Sequence, residues 1–258
     1  MIHPSAVIED GARLGEGVSV GPFAHVGPDV VLGDRVELRA HAVVTGDTRI
    51  GAETVVFQHA VVGEIPQDLK FAGERTRLVI GARNRIREGA TLNTGTAGGG
   101  GVTRVGDDNL FMTGAHVGHD AEIGSRVVVA NQAAIAGHCV IGDDVVIGGL
   151  CGIHQFVRVG RGAIIGAITM VTHDVMPYGL VQGPRGELDG LNLVGLKRKG
   201  VDRAEITALR AAYATLKQGE GTFLDRAARL RDETDSAKVA EICEFLLGQT
   251  GRSFLTPR

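Results

Sequence analysis

The stretch GAHVGHDAEIGSRVVVANQAAIAGHCVIG (Gly114–Gly142) carries two patterns at once. An aliphatic residue returns at every sixth position: Val117, Ile123, Val129, Ile135 and Ile141. Three histidines, His116, His119 and His138, are set off that beat. A period of six is not the 3.6 of an amphipathic helix, and simple strand alternation would not single out every sixth residue. Short strands separated by tight turns would.

The beat extends far beyond this stretch. It runs from Ile2 through Ile8, Leu14 and onward to Val62, and resumes over Ile80, Ile86 and Leu92. After a slip of one residue it continues from Val105 to Val171, with Phe111 its one non-aliphatic member. Four residues after each beat a small or β-branched residue recurs, as at Ala12, Val18, Ala24, Ala115, Ala121 and Val127. Glycine often follows the beat directly, and the turns are assigned to its freedom from a Cβ penalty. This is the hexapeptide β-helix pattern, in which the beat residues are core and each coil stacks on the next at about 4.8 Å. The fold class expected is all-β, a left-handed parallel β-helix over residues 1–176, followed by a C-terminal α-helical domain.

Two segments break the beat, EIPQDLKFAGERTRLV (64–79) and GTAGGGGVTR (95–104). Insertions in a solenoid map to external loops that often serve binding. The glycine run lacks the Lys-Ser/Thr ending of a phosphate-binding P-loop, so a flexible external loop is expected. Residues 177–201 read as a loop-rich segment with a basic tail. From Asp202 to 258 the pattern turns helical, with Asp202 and Glu205 as a capping-box pair and Ile206, Leu209, Tyr213 and Leu216 at helical spacing. Further helices are expected over Phe223–Arg231 and Ala237–Leu247, the latter ended by Gly248.

Composition narrows the function classes. The net charge of −3 gives no global basic field for nucleic acid. The three cysteines, Cys139, Cys151 and Cys243, form no CxxC pair and suit a reducing compartment. The amino-terminal MIHPSAVIEDG lacks the basic start and apolar run of a signal peptide, and no stretch approaches the ~18 apolar residues of a membrane helix. Neither nucleic-acid binding nor membrane insertion is therefore expected.

With eighteen residues to a coil, His119 and His173 differ by three whole coils, and His138 and His154 fall within one residue of the same column. All four are expected along one edge of the prism, with Asp120 and Gln155 beside them. A zinc site needs ligands converging within about 2.1 Å of one ion. The γ-type carbonic anhydrases on this fold achieve that across subunits, typically with an H-x4-H pair that is absent here. Imidazole as a general base is the better reading, since its unperturbed pKa of about 6.5 lets it take a proton near neutrality. Asp120 is placed to orient it. No metal and no cofactor are expected.

With these residues in hand, the chain resembles the UDP-N-acetylglucosamine O-acyltransferases of lipid A synthesis. The motifs that carry the resemblance are IPQDLKFAGE, IRE, GAHVGHD, AGH, IHQF, PYGLVQG and LNLVGLKRKG, in that order and over essentially the whole chain. The resemblance implies a homotrimer in the cytoplasm of a Gram-negative bacterium, moving a 3-hydroxyacyl chain from acyl carrier protein to the 3-hydroxyl of UDP-N-acetylglucosamine. It implies His119 as general base, Asp120 as its support and the Gly137 N–H as oxyanion donor. Gln67, Asp68 and Lys70 would hold the sugar and phosphates. His116, His138, His154 and Gln155 would line the sugar and acyl pocket, and Asn192 and Arg198 would meet the nucleotide from a neighbouring chain. Ala167 stands where many members have glycine, near the end of the acyl groove, so its methyl is expected to shorten the accepted chain. Asn93 and Thr94 replace a histidine and an arginine found in many members, and Val194 replaces a glutamate found in several. A basic run, Lys197, Arg198, Lys199 and Arg203, with Arg158, Arg161 and Arg210, suits an acidic carrier protein.

Three rival readings stand beside this one. The first is a related acyltransferase, either an N-acyltransferase using a 3-amino sugar or an acetyl-CoA enzyme. Acetyl-CoA enzymes on this fold usually lack the QDLK loop. The second is a non-catalytic solenoid, for which the Thr-x-Thr ladders of ice-binding helices are missing. The third is a γ-type carbonic anhydrase-like metalloenzyme.

Overall fold

The structure, a computed structural model, describes residues 1–248 and 251–258. The six-residue beat becomes a stack of triangular rungs. Each rung is three short strands joined by turns, and strands one rung apart pair in parallel, as Val7 with His25 and His116 with Ala134. The rungs build three flat faces, sheets of nine, eight and ten strands. The two insertions lengthen single rungs, so Val61 pairs with Thr91 and Thr91 with His116. Beat residues fill the interior: Val26, Val44, Ile86, Leu92, Phe111, Ile135 and Ile147 are all fully buried. Burying chains of this size is worth roughly 1.5–3 kcal/mol each.

The turns depart from the expected chemistry. Glycines after the beat, such as Gly124 and Gly142, are not the left-handed residues. A Cβ at either would sit 2.7 Å from the backbone nitrogen of the next rung, Asp143 or Arg161, so close approach of the chain excludes a side chain. The left-handed corners, three residues after the beat, are taken by glycines such as Gly114 (φ 69°) and Gly162 (φ 67°) but more often by other residues, among them Asp120 (φ 57°), His138 (φ 60°) and Phe156 (φ 67°). Such a conformation costs a non-glycine residue about 1 kcal/mol or more, and it persists only where the surroundings hold it. At one corner it puts site residues on the outside of successive rungs.

The segment after Pro177 is more ordered than a loop. Gly179–Gln182 pairs in parallel with Ile164–Ile165 and antiparallel with Glu187–Leu191, closing the ten-stranded sheet. A short helix, α1 (Leu193–Arg198), follows, with α2 (Arg203–Lys217), α3 (Phe223–Glu233) and α4 (Ala237–Leu247) beyond it. Asp202 caps α2 through the Ala204 N–H, but Glu205 does not complete a box, because its carboxylate accepts from Ser236 of the α4 cap. The capping box lies at α3, between Thr222 and Asp225. Leu209, Ile242 and Leu246 form the inner face of this helical layer. The C-terminal residues return to the prism: fully buried Asp174 is held between Arg158 (2.7 Å) and Arg252 (3.0 Å), and Tyr178 donates to Glu241 of α4. Among the described residues no helix is long and apolar enough to cross a membrane.

Candidate active site

The site grows from one corner of the prism. His119 precedes the left-handed residue Asp120, and that turn brings its ring back over the carboxylate, Nδ1 lying 2.8 Å from Asp120 Oδ2. Asp120 is 7 % exposed and receives two further donors, the Thr96 N–H at Oδ1 (2.8 Å) and the Thr96 hydroxyl at Oδ2 (2.6 Å). Its own N–H donates to the Thr103 hydroxyl. A carboxylate only accepts, so Nδ1 is the donor, and in the neutral imidazole Nε2 is the nitrogen that carries the lone pair.

The glycine run explains how this carboxylate is covered. A Cβ at Gly99 would lie 2.0 Å from Asp120 Cγ, and one at Gly95 2.8 Å from Oδ1. Rather than a flexible external loop, 95–101 folds down onto Asp120 through a single 3₁₀ turn, Ala97–Gly99. Thr96, which no spacing argument singled out, is the residue that this lid delivers.

On the other side of the His119 ring lies Gly137, one rung along. A Cβ there would meet His119 Nε2 at 2.6 Å. Gly137 lines a trench of about 380 Å³ together with Gln67, Asn93, His116, His119, His154 and Gln155. Among the described residues its N–H makes no hydrogen bond. Gly118 keeps that nitrogen uncovered, since a Cβ at Gly118 would come within 2.8 Å of it. An imidazole lone pair and an unused amide donor thus share one cavity. Burial, with His119 nearby, pushes the His116 pKa below its ordinary value, and its Nδ1 bonds the Thr91 hydroxyl at 2.8 Å.

His138 belongs to the same corner but opens the other way. Its ring stacks on Phe156 (centroids 4.4 Å apart) and borders a second cavity of about 520 Å³ with Asp68, Lys70, Phe71 and Glu74 from the first insertion. Burial pushes its pKa down against the opposing pull of Asp120, 3.8 Å away. Ligand atoms of His119, Asp120 and His138 lie within 4.8 Å of one another. Asp120 already accepts three hydrogen bonds there, which suits proton handling better than metal ligation.

Other expected site residues are placed differently. His173, counted in the same histidine column, is three rungs from His119 and lines a separate cavity with Phe254 and Leu255. Asn192 spends its amide on structure, capping α1 at the Gly195 N–H and donating to the Gly162 carbonyl. Arg198 is exposed at the end of α1. Ala167 is exposed and lies outside the trench, its Cα packed close to Gly148. Asn93 and Thr94 also turn to structure: Asn93 Nδ2 donates to the Glu64 and Ile65 carbonyls, and Thr94 accepts from Thr76. Of the basic run, Lys199 pairs with Asp144 (2.7 Å), Arg161 with Asp143 and Glu241, and Arg158 with Asp174, leaving Lys197, Arg198, Arg203 and Arg210 outside any ion pair among the described residues.

Comparison with known proteins places this geometry. A family model described as UDP-N-acetylglucosamine O-acyltransferase, domain 2, matches residues 174–255, and one for bacterial transferase hexapeptides matches 11–46 and 103–137. An acyl-[acyl-carrier-protein]–UDP-N-acetylglucosamine O-acyltransferase of Paracoccus denitrificans is 62 % identical over 79 % of this chain and 77 % of its own length. Its namesake in Rhizobium johnstonii is 49 % identical over 99 % of this chain and 94 % of its own. The solved UDP-N-acetylglucosamine acyltransferase of Campylobacter jejuni superposes with a TM-score of 0.94 at 40 % identity, covering all of both chains. The chain therefore belongs to the UDP-N-acetylglucosamine O-acyltransferase family, built as a left-handed parallel β-helix with a C-terminal helical part.

Proposed function

We propose that the chain transfers a 3-hydroxyacyl group from acyl carrier protein to the 3-hydroxyl of UDP-N-acetylglucosamine, the opening step of lipid A synthesis, in the cytoplasm. Acyl-[acyl-carrier-protein] and UDP-N-acetylglucosamine stand in the name of a relative that matches this chain over nearly its full length. His119 Nε2 takes the proton of the sugar hydroxyl while Asp120 stabilises the imidazolium. The sugar oxygen attacks the thioester carbon directly, and the Gly137 N–H donates to the carbonyl oxygen as it gains charge. Collapse of the tetrahedral species expels the carrier thiolate, which regains a proton from His119. The observation that carries this reading is the convergence of a Asp120-held imidazole and a free backbone donor on one trench.

Gln67 reaches that trench from the first insertion, while Asp68 and Lys70 face His138 across the corner. We assign the second cavity to the polar, phosphate-bearing part of the sugar nucleotide. Arg198 is exposed and points to no cavity-lining role in its own protomer, in keeping with a nucleotide contact made in a neighbour. We assign the shared sites to a homotrimer, in keeping with Arg198 lining neither cavity of its own protomer. Incubation with UDP-N-acetylglucosamine and a panel of hydroxyacyl-carrier thioesters, read by mass, tests the reading. A singly acylated UDP-sugar is expected, and no acylated product overturns it.

A further inference from the structure

The two insertions meet outside the corner and wall the second cavity between them. Asp68, Lys70, Phe71 and Glu74 come from the first, and Thr96, Ala97 and Gly98 from the second. At their roots the insertions are joined by the Arg77 N–H to the Gly101 carbonyl (2.8 Å) and the Gly95 N–H to the Arg77 carbonyl (3.2 Å). Farther out, among the described residues, a single side chain crosses by hydrogen bond from 64–79 to 95–104. Glu74 Oε1 accepts from the Ala97 N–H (3.2 Å), while Oε2 accepts from the Ala72 N–H of its own insertion (2.8 Å). Its own N–H, then those of Ala72 and Ala97, hold the Glu74 carboxyl below its ordinary pKa. Ala97 opens the 3₁₀ turn and directly follows Thr96, whose hydroxyl leaves that turn uncapped because it is spent on Asp120. The run Gly98–Gly101 gives the lid little stiffness of its own, so its position must be fixed from outside. Contacts thus run without a break from the cavity wall to the base: Glu74 to Ala97, Thr96 to Asp120, and Asp120 to His119 Nδ1.

We propose that Glu74 is a positioning residue that ties the lid to the first insertion, so that a UDP-sugar seated against Asp68 and Lys70 holds Thr96 on Asp120 and thereby aims the His119 base. The assignment rests on the acyltransferase reading and on placing the sugar nucleotide in the second cavity. Glu74 acts through the lid and not on the phosphates: both its oxygens already accept from backbone donors, and its negative charge repels a phosphate. Ligand binding and lid placement then share one coupling free energy, and the coupling is reciprocal. The imidazole is held most firmly when the acceptor is in place, which is when its orientation governs the rate.

The test is a double-mutant cycle in the full chain, with UDP-N-acetylglucosamine and a hydroxyacyl-carrier thioester. Glu74→Ala lowers kcat about fivefold, and Glu74→Gln, which keeps one acceptor oxygen, loses less. In a Thr96→Val background the same Glu74→Ala change costs less than about twofold, because the bond it positions is already missing. Hydrogen exchange reads the coupling without turnover. UDP-N-acetylglucosamine slows exchange over 64–79 and 95–101 together in the parent, but over 64–79 alone in Glu74→Ala. Thermal melts of the variants match the parent. Equal losses from Glu74→Ala in both backgrounds overturn the proposal, as does protection of 95–101 that survives Glu74→Ala. A loss confined to the sugar-nucleotide KM, with kcat intact, makes Glu74 a substrate contact and overturns it as well. If the parent transfers no acyl group at all, the acyltransferase reading falls and this proposal falls with it. Transfer with additive losses sinks the proposal only.

Discussion

Gly137 lies directly under the His119 ring: the place a Cβ would occupy is 2.6 Å from both Cε1 and Nε2. The base and the backbone donor one rung away therefore touch, and neither tolerates a larger neighbour. Gly137→Ala is expected to tilt the imidazole off its Asp120 bond and lower kcat by at least about a hundredfold. Gly137 is not at a left-handed φ, so the fold should persist. Near-parental kcat for a folded Gly137→Ala protein counts against the shared geometry.

Thr96 supplies two of the hydrogen bonds on the Asp120 carboxylate. Thr96→Val removes the hydroxyl donor and keeps the shape. It should lower kcat about tenfold with little change in the sugar-nucleotide KM, because the loss falls on the orientation of His119. Thr96→Ser should restore most of it. Equal losses in Val and Ser variants would point to packing instead.

His116 has a depressed pKa through burial and the neighbouring His119, against an ordinary value of 6.5. The unfolded chain therefore binds the proton at higher pH than the native one. The stability from this group is full above 6.5 and is lost as pH falls through the window below it. Melting temperature should fall as the pH is lowered below 6.5. His116→Gln, which can still bond Thr91, should flatten that slope. Parallel profiles for the two proteins would remove His116 from the effect.

The basic run divides by its partners. Lys199 is tied to Asp144, so Lys199→Glu would damage the helix–prism junction as well as any docking. Arg203→Glu is the cleaner probe, because Arg203 is exposed, lies outside any ion pair among the described residues and has no role at the nucleotide. It should raise the carrier-protein KM several-fold at low salt and blunt its rise with ionic strength, leaving the melt unchanged. A salt-independent KM in the parent would argue against charge-guided docking.

The prism was legible in the sequence because its period resumes after both insertions and each beat residue meets the same environment, an interior too narrow for most aromatics. The His119–Asp120 pair was legible because adjacency and rung counting place it on a corner. Thr96 was not, because it reaches Asp120 through an insertion whose path no periodicity constrains. The hairpin after Pro177 and α1 were read as loop because their strands are short and follow no repeat. His173 shares a column with His119, but angular position says nothing of distance along the prism, and three rungs take it out of the site. The attribution of the turns to glycine holds at left-handed corners such as Gly114 and Gly162 but not at Gly124 and Gly142, where what excludes a side chain is the next rung, which a single coil does not reveal.

The most direct test of the central claim is the turnover of His119→Ala beside its affinity for UDP-N-acetylglucosamine, measured by calorimetry. His119 stands outside the aliphatic interior, and its loss should lower kcat about a thousandfold or more while the sugar-nucleotide Kd and the melt stay near the parent's. Turnover within about tenfold of the parent would contradict the assignment of His119 as the base.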